Sequence, residues 1–310
     1  MAVDILNDEG LGITESTAFL KLFDRRFSDQ LRRDNGIEPW TEEMEQAYDQ
    51  SVQSGAVYRF LNNLHQIKNF QGDTEEDWDD AQNEAFLADE LLRLYKTEMA
   101  VYDRLHEYRG HLIPRLFAAI DLDIAPTGHT TEVSERGGFE PFKVKGLLLQ
   151  YIDGCDLWNI VHRFPRSSWQ EIVDQALAII RVLGDYNILN KDVRPENFMV
   201  STTMENHQQE EEAQQCRVFM VDFALCRFRG QDESDLDWGR AKFSKDEDGA
   251  IALRMKKLLS EKHDFQLHYE DPLRYLEWAE REDSFPDQAV KTELRQSEAG
   301  DGEQGTKITE

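Results

Sequence analysis

Two carboxylates and an amide stand at spacings that suit the binding of a metal ion or the movement of a proton. Asp192 and Asn197 form the pattern D-x-x-x-x-N in the segment NKDVRPENFMV, and Asp222 follows twenty-five residues after Asn197. Carboxylate and amide oxygens are ligands for hard cations, and a carboxylate can also accept a proton. Singly, each residue could as well cap a turn or satisfy loop backbone. Their order and spacing together indicate a common site.

The strands that would position these groups are indicated by the hydrophobic pattern. Alternating or continuous apolar runs predict strands at 18–24, 112–123, 146–152 and 217–223. Asp222 therefore falls at the end of a predicted strand. The run at 146–152 is apolar throughout, which is typical of a strand that is buried on both faces.

Helical periodicity covers two other parts of the chain. The stretch from Pro39 to about His106 is predicted to be helical with a break near Asn69–Asp73. A capping box at Ser168–Glu171 opens the clearest helix, which is predicted to end at Gly184, shortly before Asp192. Three polar segments, 72–80, 201–215 and 281–310, lack a core-forming pattern; the first two are expected to be solvated loops and the third a disordered acidic tail.

These motifs resemble those of the protein kinase superfamily. Asp192 to Asn197 is similar to the catalytic loop H-R-D-x-x-x-x-N, and Val221-Asp222-Phe223-Ala224 is similar to the strand end and D-F-G. Phe19-Leu20-Lys21 resembles the V-A-I-K lysine, and Glu98 in KTEMAVYDRL resembles the helical glutamate that pairs with it. More narrowly, LKLFDRRFSDQLRRDN, WDDAQNEA and VDFALCRFR resemble a poorly characterised group of fungal protein-kinase-like proteins, over roughly residues 15–260.

The resemblance implies an α+β, two-lobed protein-kinase-like fold. Residues 1–152 would form an N-terminal lobe with a small antiparallel sheet, a short or absent first strand and a helical insertion at about 30–95. Residues 153–280 would form a mainly helical, truncated C-terminal lobe that carries the catalytic loop and the metal-binding motif, and 281–310 would be the tail.

The resemblance also implies a role for each candidate residue in binding ATP and Mg²⁺. Lys21 would hold the α- and β-phosphates and Glu98 would fix the lysine. The hinge between the lobes would supply cofactor-binding residues at Leu149, Gln150 and Ile152. Asn197 and Asp222 would be the Mg²⁺ ligands, Asp192 the catalytic acceptor of a hydroxyl proton, and Arg194 a cation near the transferred phosphate.

Several departures from the family pattern concern activity. Only 20 residues precede Lys21, and Gly10-Leu-Gly12 is an incomplete glycine-rich loop, whose backbone amides would otherwise approach the phosphates. Asn190 replaces the histidine of H-R-D, and Ala224 replaces the glycine of D-F-G, which removes ready access to positive φ. No A-P-E follows, and the next helix is predicted to start at about Asp248, which leaves little platform for peptide docking.

Three functions therefore stay open. The first is an ATP-dependent phosphotransferase that acts on a protein or small-molecule hydroxyl. The second is a catalytically weak or inactive pseudokinase that serves as a binding or scaffold module. The third is an α/β scaffold that binds no nucleotide.

Composition limits the partners and the compartment. The 310 residues carry 35 basic and 62 acidic side chains, a formal net charge of −27, which disfavours nucleic acid and anionic membrane surfaces and favours a basic partner. The three cysteines contain no C-x-x-C pair, no apolar run is long enough to span a bilayer, and the opening residues lack a secretion signal. We expect a cytoplasmic or nuclear protein that is not secreted.

Overall fold

The computed structural model describes residues 1–4, 17–125, 139–202, 216–270 and 274–280. These residues form an α+β protein with a small antiparallel sheet and a mainly helical remainder. The chain divides into two compact units. The first contains Met1–Gly154 and Met199–Cys226, and the second contains Cys155–Phe198 and the described residues from Arg227 onward. Met199–Cys226, which the sequence analysis assigns to the C-terminal lobe, therefore groups with the first unit.

The main sheet of the first unit has four antiparallel strands in the order β1-β2-β4-β3. Their bounds are Ala2–Asp4 for β1, Thr17–Phe23 for β2, Leu116–Asp123 for β3 and Lys143–Gln150 for β4. The strands predicted at 18–24 and 146–152 are confirmed with small shifts in their ends. The strand predicted in 112–123, whose apolar run follows Pro114, is also confirmed and begins at Leu116. The incomplete glycine loop at Gly10-Leu-Gly12 lies outside the described residues.

The helical insertion is divided more finely than predicted. Its helices are α1 at Asp29–Asp34, α2 at Glu42–Gln53, α3 at Ala56–Gln66, α4 at Phe70–Thr74 and α5 at Asp80–Arg104. Left-handed backbone at Gly55 and Asn69 separates α2 from α3 and α3 from α4. Apolar side chains of α2, α3 and α5 form a buried cluster that includes Tyr48, Phe60 and Phe86.

The segment 72–80 is solvated as predicted, since none of its residues is buried, but it is not an irregular loop. This segment contains the end of α4, a 3-10 turn at Glu75–Asp77 and the N-cap of α5. Asp79 and Gln82 form a reciprocal capping box there, because the side chain of each accepts a hydrogen bond from the backbone N–H of the other.

Short strands follow the main sheet. A three-stranded sheet has the order β5-β7-β8, with β5 at Gly154–Asp156, β7 at Phe198–Thr202 and β8 at Cys216–Met220. The strand predicted at 217–223 thus ends at Met220, where the backbone N–H of Met220 donates to the carbonyl of Leu112. Strand β6 at Ile188–Asn190 pairs with β9 at Cys226–Phe228.

The second unit is built around α7, Trp169–Asp185, whose apolar face is buried as its periodicity predicts. The other helices are α6 at Ile160–Arg163, α8 at Asp235–Lys245, α9 at Glu247–His263 and α10 at Arg274–Glu280. Ser168 precedes α7 but its side chain makes no capping bond; its hydroxyl donates instead to the Pro165 carbonyl. The helix predicted to start at about Asp248 is α9, and the sequence analysis missed α8 before it.

In the described part of the chain, no helix is both long and apolar enough to cross a membrane.

Candidate functional site

Three of the predicted residues meet in the first unit. Lys21 lies on β2, Glu98 lies on α5 seventy-seven residues later, and Asp222 follows β8 at a separation of 201 residues. The Lys21 Nζ atom donates to Glu98 Oε2 at 2.6 Å and to Asp222 Oδ1 at 2.8 Å. Glu98 is therefore the helical residue that pairs with Lys21, in spite of the 77 residues that separate the two in the chain.

Burial and charge act against each other in this cluster. The Glu98 side chain is fully buried, that of Lys21 is 23% exposed and that of Asp222 is 40% exposed. Burial by itself would lower the pKa of Lys21, but the charges and hydrogen bonds of Glu98 and Asp222 outweigh it, so the pKa is raised. Burial raises the pKa of Glu98, and the ion pair with Lys21 only partly offsets that effect. Lys21 thus stays a cation over the physiological pH range.

Asp222 is held in an uncommon backbone conformation. Its φ is +66°, in the left-handed region that aspartate tolerates better than most residues. The next side chain, Phe223, is fully buried and packs edge-to-face on Tyr102 of α5 at 5.6 Å between ring centroids. The positive φ of this segment falls on Asp222 and not on Ala224, so alanine in place of glycine fits the observed turn. Strain held in place by a buried aromatic anchor is typical of functional sites.

Three further predicted residues meet in the second unit, in the loop after β6. Asn197 Nδ2 donates to the Asp192 carbonyl at 2.9 Å and to Asp192 Oδ2 at 3.2 Å. The Arg194 Nη2 atom lies 3.2 Å from the same Oδ2. Asn197 is buried, while the Asp192 side chain is 28% exposed and that of Arg194 48% exposed. The D-x-x-x-x-N spacing therefore brings an amide and a carboxylate together on one loop.

The loop is anchored by residues that the sequence analysis did not select. Asn190 is fully buried, and its side-chain Oδ1 accepts the backbone N–H of Asp192 at 2.8 Å. The backbone N–H of Asn190 donates to Glu247 Oε1 at 2.8 Å, and Lys242 Nζ donates to the Ile188 carbonyl at 3.1 Å. Lys242 and Glu247 are both buried and form an ion pair.

No local signal would have identified Glu247, because it stands between two other acids, Asp246 and Asp248. Burial raises the pKa of Glu247, and its pairing with Lys242 works in the opposite direction. Asparagine at position 190 thus has a structural role of its own, as a hydrogen-bond acceptor that shapes the start of the loop.

The predicted hinge residues lie at and after the end of β4. Leu149 is buried and pairs with Phe19 in the sheet, and Ile152 is also buried. The backbone N–H of Gln150 donates to the Arg115 carbonyl at 2.8 Å, and its side-chain oxygen accepts the Arg115 N–H at 3.2 Å. The Gln150 groups are thus used within the first unit. Leu149 stands on the strand next to Lys21, two residues along β4 from the position opposite the lysine.

Within the described ranges, no group of three or more His, Cys, Asp or Glu side chains is placed to hold a metal ion. The predicted metal ligands, Asn197 and Asp222, belong to different units. A scan of the chain against protein-family models finds no match, and a search of the curated proteins finds none either.

Proposed function

We propose that this chain is a protein-kinase-like protein that binds ATP with Mg²⁺ and transfers the γ-phosphoryl group to a protein or small-molecule hydroxyl. The observation that carries the proposal is the double ion pair of Lys21 with Glu98 and Asp222. Residues 77 and 201 positions away converge on one ammonium, as the kinase resemblance requires. The antiparallel sheet that carries Lys21 and the mainly helical second unit are compatible with the fold that the resemblance implies.

Lys21 is suited to hold a phosphate. An ammonium has three N–H donors, and two of them are used by Glu98 and Asp222, which leaves one for a phosphate oxygen. Buried Glu98 holds the amine in place, and the partly exposed ammonium keeps its charge. Preorganised positive charge of this kind lowers the barrier to phosphoryl transfer, since it need not be assembled during the reaction.

The donor chemistry fits magnesium. Asp222 offers a partly exposed carboxylate and Asn197 an amide oxygen, and both are hard oxygen ligands of the type that Mg²⁺ prefers. When bound, the metal would supply positive charge to phosphate oxygens. In the second unit, Asp192 would accept or orient the proton of the acceptor hydroxyl. Arg194, whose guanidinium lies beside the Asp192 carboxylate, would supply positive charge near the transferred phosphate.

The acidic composition suggests a basic phosphoryl acceptor or partner, since the formal charge of −27 attracts cations and repels nucleic acid. Cys155, Cys216 and Cys226 form no disulfide bond, which supports a reducing compartment such as the cytoplasm or the nucleus.

A nucleotide-binding module without turnover is the second candidate. The Asp192 carboxylate is already engaged by Arg194 and Asn197, and Asn190 takes the place of the family histidine. A pseudokinase would keep the Lys21 cluster for binding and lose the proton transfer.

Nucleotide binding is tested by the melting temperature of the protein with ATP, with Mg²⁺ and with both. A ligand at 100 times its dissociation constant stabilises the folded state by roughly 2.7 kcal/mol. We expect Mg·ATP to raise the melting temperature of the wild type and Lys21→Met to abolish the increase. Lys145→Met is the matched control, because Lys145 lies on the neighbouring β4 and also pairs with two carboxylates, Asp121 and Glu140. Absence of a shift at millimolar Mg·ATP would refute the proposal.

Turnover separates the two candidates. If the chain is a phosphotransferase, Asp192→Asn should abolish ATP consumption while the Mg·ATP-induced shift persists. A wild type that shows the shift but consumes no ATP with any hydroxyl acceptor would support the binding module.

A further inference from the structure

A second buried charge cluster joins α5 to the segment after β2. Glu84, on the second turn of α5, is fully buried and its carboxylate receives two guanidinium groups. Arg25 Nη1 donates to Glu84 Oε2, and Arg32 Nη2 donates to Glu84 Oε1 at 2.6 Å. Arg25 and Arg32 are also buried. We call these three residues the Arg25–Glu84 clamp.

Other guanidinium N–H groups of the clamp bind neighbouring residues, two of which lie in the helical insertion. Arg25 Nη2 donates to Glu45 Oε1 of α2 at 2.8 Å, and the Arg25 guanidinium lies 4.1 Å from the ring centroid of Tyr48. Arg32 Nε donates to the Arg25 carbonyl at 3.1 Å, and Arg32 Nη1 donates to the carbonyl of Glu38 at 3.0 Å. Because burying ionic groups is costly, such a network is weak evidence for stability in itself. The hydrogen bonds of the network are directional, and they therefore fix the relative positions of the residues that they join.

The Lys21–Glu98 ion pair attaches α5 to β2, and the clamp attaches the same helix to the segment that follows β2. Arg25 follows Lys21 by four residues, and Glu84 precedes Glu98 by fourteen, which is roughly 21 Å along a helix. Between the two ion pairs, Phe23 packs edge-to-face on Tyr95 of α5, with 5.5 Å between ring centroids. A helix attached at one point can rotate or tilt, whereas attachment at two points this far apart restrains both motions.

We propose that the Arg25–Glu84 clamp holds α5 in the position that pairs Glu98 with Lys21, so that the helical insertion sets the nucleotide-binding geometry. Arg25, Arg32 and Glu84 are positioning residues that act through Glu98. The importance of this role for phosphate binding rests on the proposed function. The structural coupling between the two ion pairs does not.

The coupling can be measured through the reactivity of the Lys21 amine, because only an unprotonated, accessible amine is acylated. In the wild type the ion pairs keep Lys21 protonated, with a raised pKa. Acylation by an amine-reactive reagent, quantified by mass spectrometry, should rise about tenfold at Lys21 in Glu84→Gln, a mid-range coupling for residues of one network. Lys145 is the internal reference, since it lies in the same sheet and is protected by its own two ion pairs.

Two further variants make the test specific. Glu45→Gln removes a carboxylate from the same Arg25 guanidinium without cutting its link to α5, so Lys21 should react as in the wild type. Glu84→Gln can fail to fold because it leaves buried guanidinium charge. The double variant Glu84→Met with Arg32→Met removes one buried charge of each sign, and Arg25 keeps its ion pair with Glu45, so this variant should fold. Acylation of Lys21 should rise in the double variant as well.

Unchanged acylation of Lys21 in the Glu84 variants would overturn the proposal. An equal rise in the acylation of Lys145 in these variants would also overturn it, because the clamp would then hold the fold as a whole. So would a rise in Lys21 acylation in Glu45→Gln that equals the rise in Glu84→Gln. Mg·ATP binding is a separate arm: Glu84→Gln should weaken it in the wild-type background and have no further effect in Glu98→Gln. If the wild type binds no nucleotide, the proposed function fails while the acylation result still decides the coupling.

Discussion

The buried ion pair of Lys242 and Glu247 allows a quantitative prediction about the loop that carries Asp192. The substitution Lys242→Met keeps the length and apolar stem of the side chain and removes only the ammonium. In the variant, Glu247 would keep the Asn190 N–H and lose its charge partner, and the Ile188 carbonyl would lose its donor.

The expected cost follows from burial. The side chains of Lys242 and Glu247 are 2% and 3% exposed, so solvent cannot compensate the remaining carboxylate. Removing one partner of such a pair costs about 3–5 kcal/mol. Replacing both, as in Lys242→Met with Glu247→Leu, leaves no buried charge, and the orphaned backbone groups at Asn190 and Ile188 cost about 1–3 kcal/mol each. The double variant should therefore be destabilised by less than the sum of the two single variants.

Urea unfolding provides the measurement, since variants whose free energy of unfolding depends on urea with the same slope can be compared directly. Lys245→Met is the control, because Lys245 lies on the same helix but is exposed, and its loss should change the free energy of unfolding by at most about 0.5 kcal/mol. The deficit of Lys242→Met should also grow between about pH 5 and about pH 8. Burial raises the pKa of Glu247 and Lys242 opposes that rise, so without the lysine the carboxyl is neutral at low pH and becomes a buried, unpaired charge as pH rises.

If Lys242→Met lowers the free energy of unfolding by less than about 1 kcal/mol at the higher pH, this reasoning is refuted, because a buried carboxylate without its cation should destabilise the fold by more than that. A double variant destabilised by the full sum of the two single variants would refute it too.

Two other substitutions test the packing and electrostatics away from this pair. Gly154→Ala should destabilise the protein by more than about 2 kcal/mol, because the added Cβ would lie 2.1 Å from the Val200 carbonyl oxygen. Gly72→Ala should be tolerated, because its Cβ would meet only side-chain atoms of Asn69. Equal urea unfolding midpoints for the two variants would contradict this prediction. Hydrogen bonds from Arg227 lower the pKa of Glu233 to about 2, so the stabilisation is present above the unfolded value of 4.5 and is lost as pH falls toward 2. Glu233→Gln should therefore cost about 1 kcal/mol near neutral pH, allowing for solvent screening, and nothing near pH 2; a pH-independent cost in urea unfolding would argue against it.

Elements whose burial follows a simple period could be predicted from the sequence. Helix α7 is an example, because its apolar residues recur at helical spacing and are the ones that are buried. The D-x-x-x-x-N loop also belongs here, since Asp192 and Asn197 are close in the chain and meet through local hydrogen bonds.

Capping illustrates how a local motif can mislead. Ser168–Glu171 and Asp79–Gln82 both carry capping-box residues, yet only the second forms. Asp79 has extended backbone, with ψ of 171°, and its carboxylate reaches the first turn of α5. Ser168 has ψ of −8° because it ends a 3-10 turn, so its hydroxyl faces back along the chain. The preceding turn, and not the motif, decided the outcome.

The partners of the charged residues were decided by the tertiary structure. Glu84 and Glu247 are indistinguishable in sequence from the solvated glutamates around them, and Glu98 could be selected only through the resemblance of its motif, yet all three are buried against cations. A side-chain charge carries no period that records its partner, and the ion pair of Lys21 with Asp222 spans 201 residues. The sequence by itself therefore determined which groups could do chemistry and which elements carry them. Only the tertiary structure, which brings α5 and the segment after β8 to Lys21 on β2, determined that Glu98 and Asp222 share one ammonium. Burial and Coulomb energy depend on distance in space and not on separation along the chain.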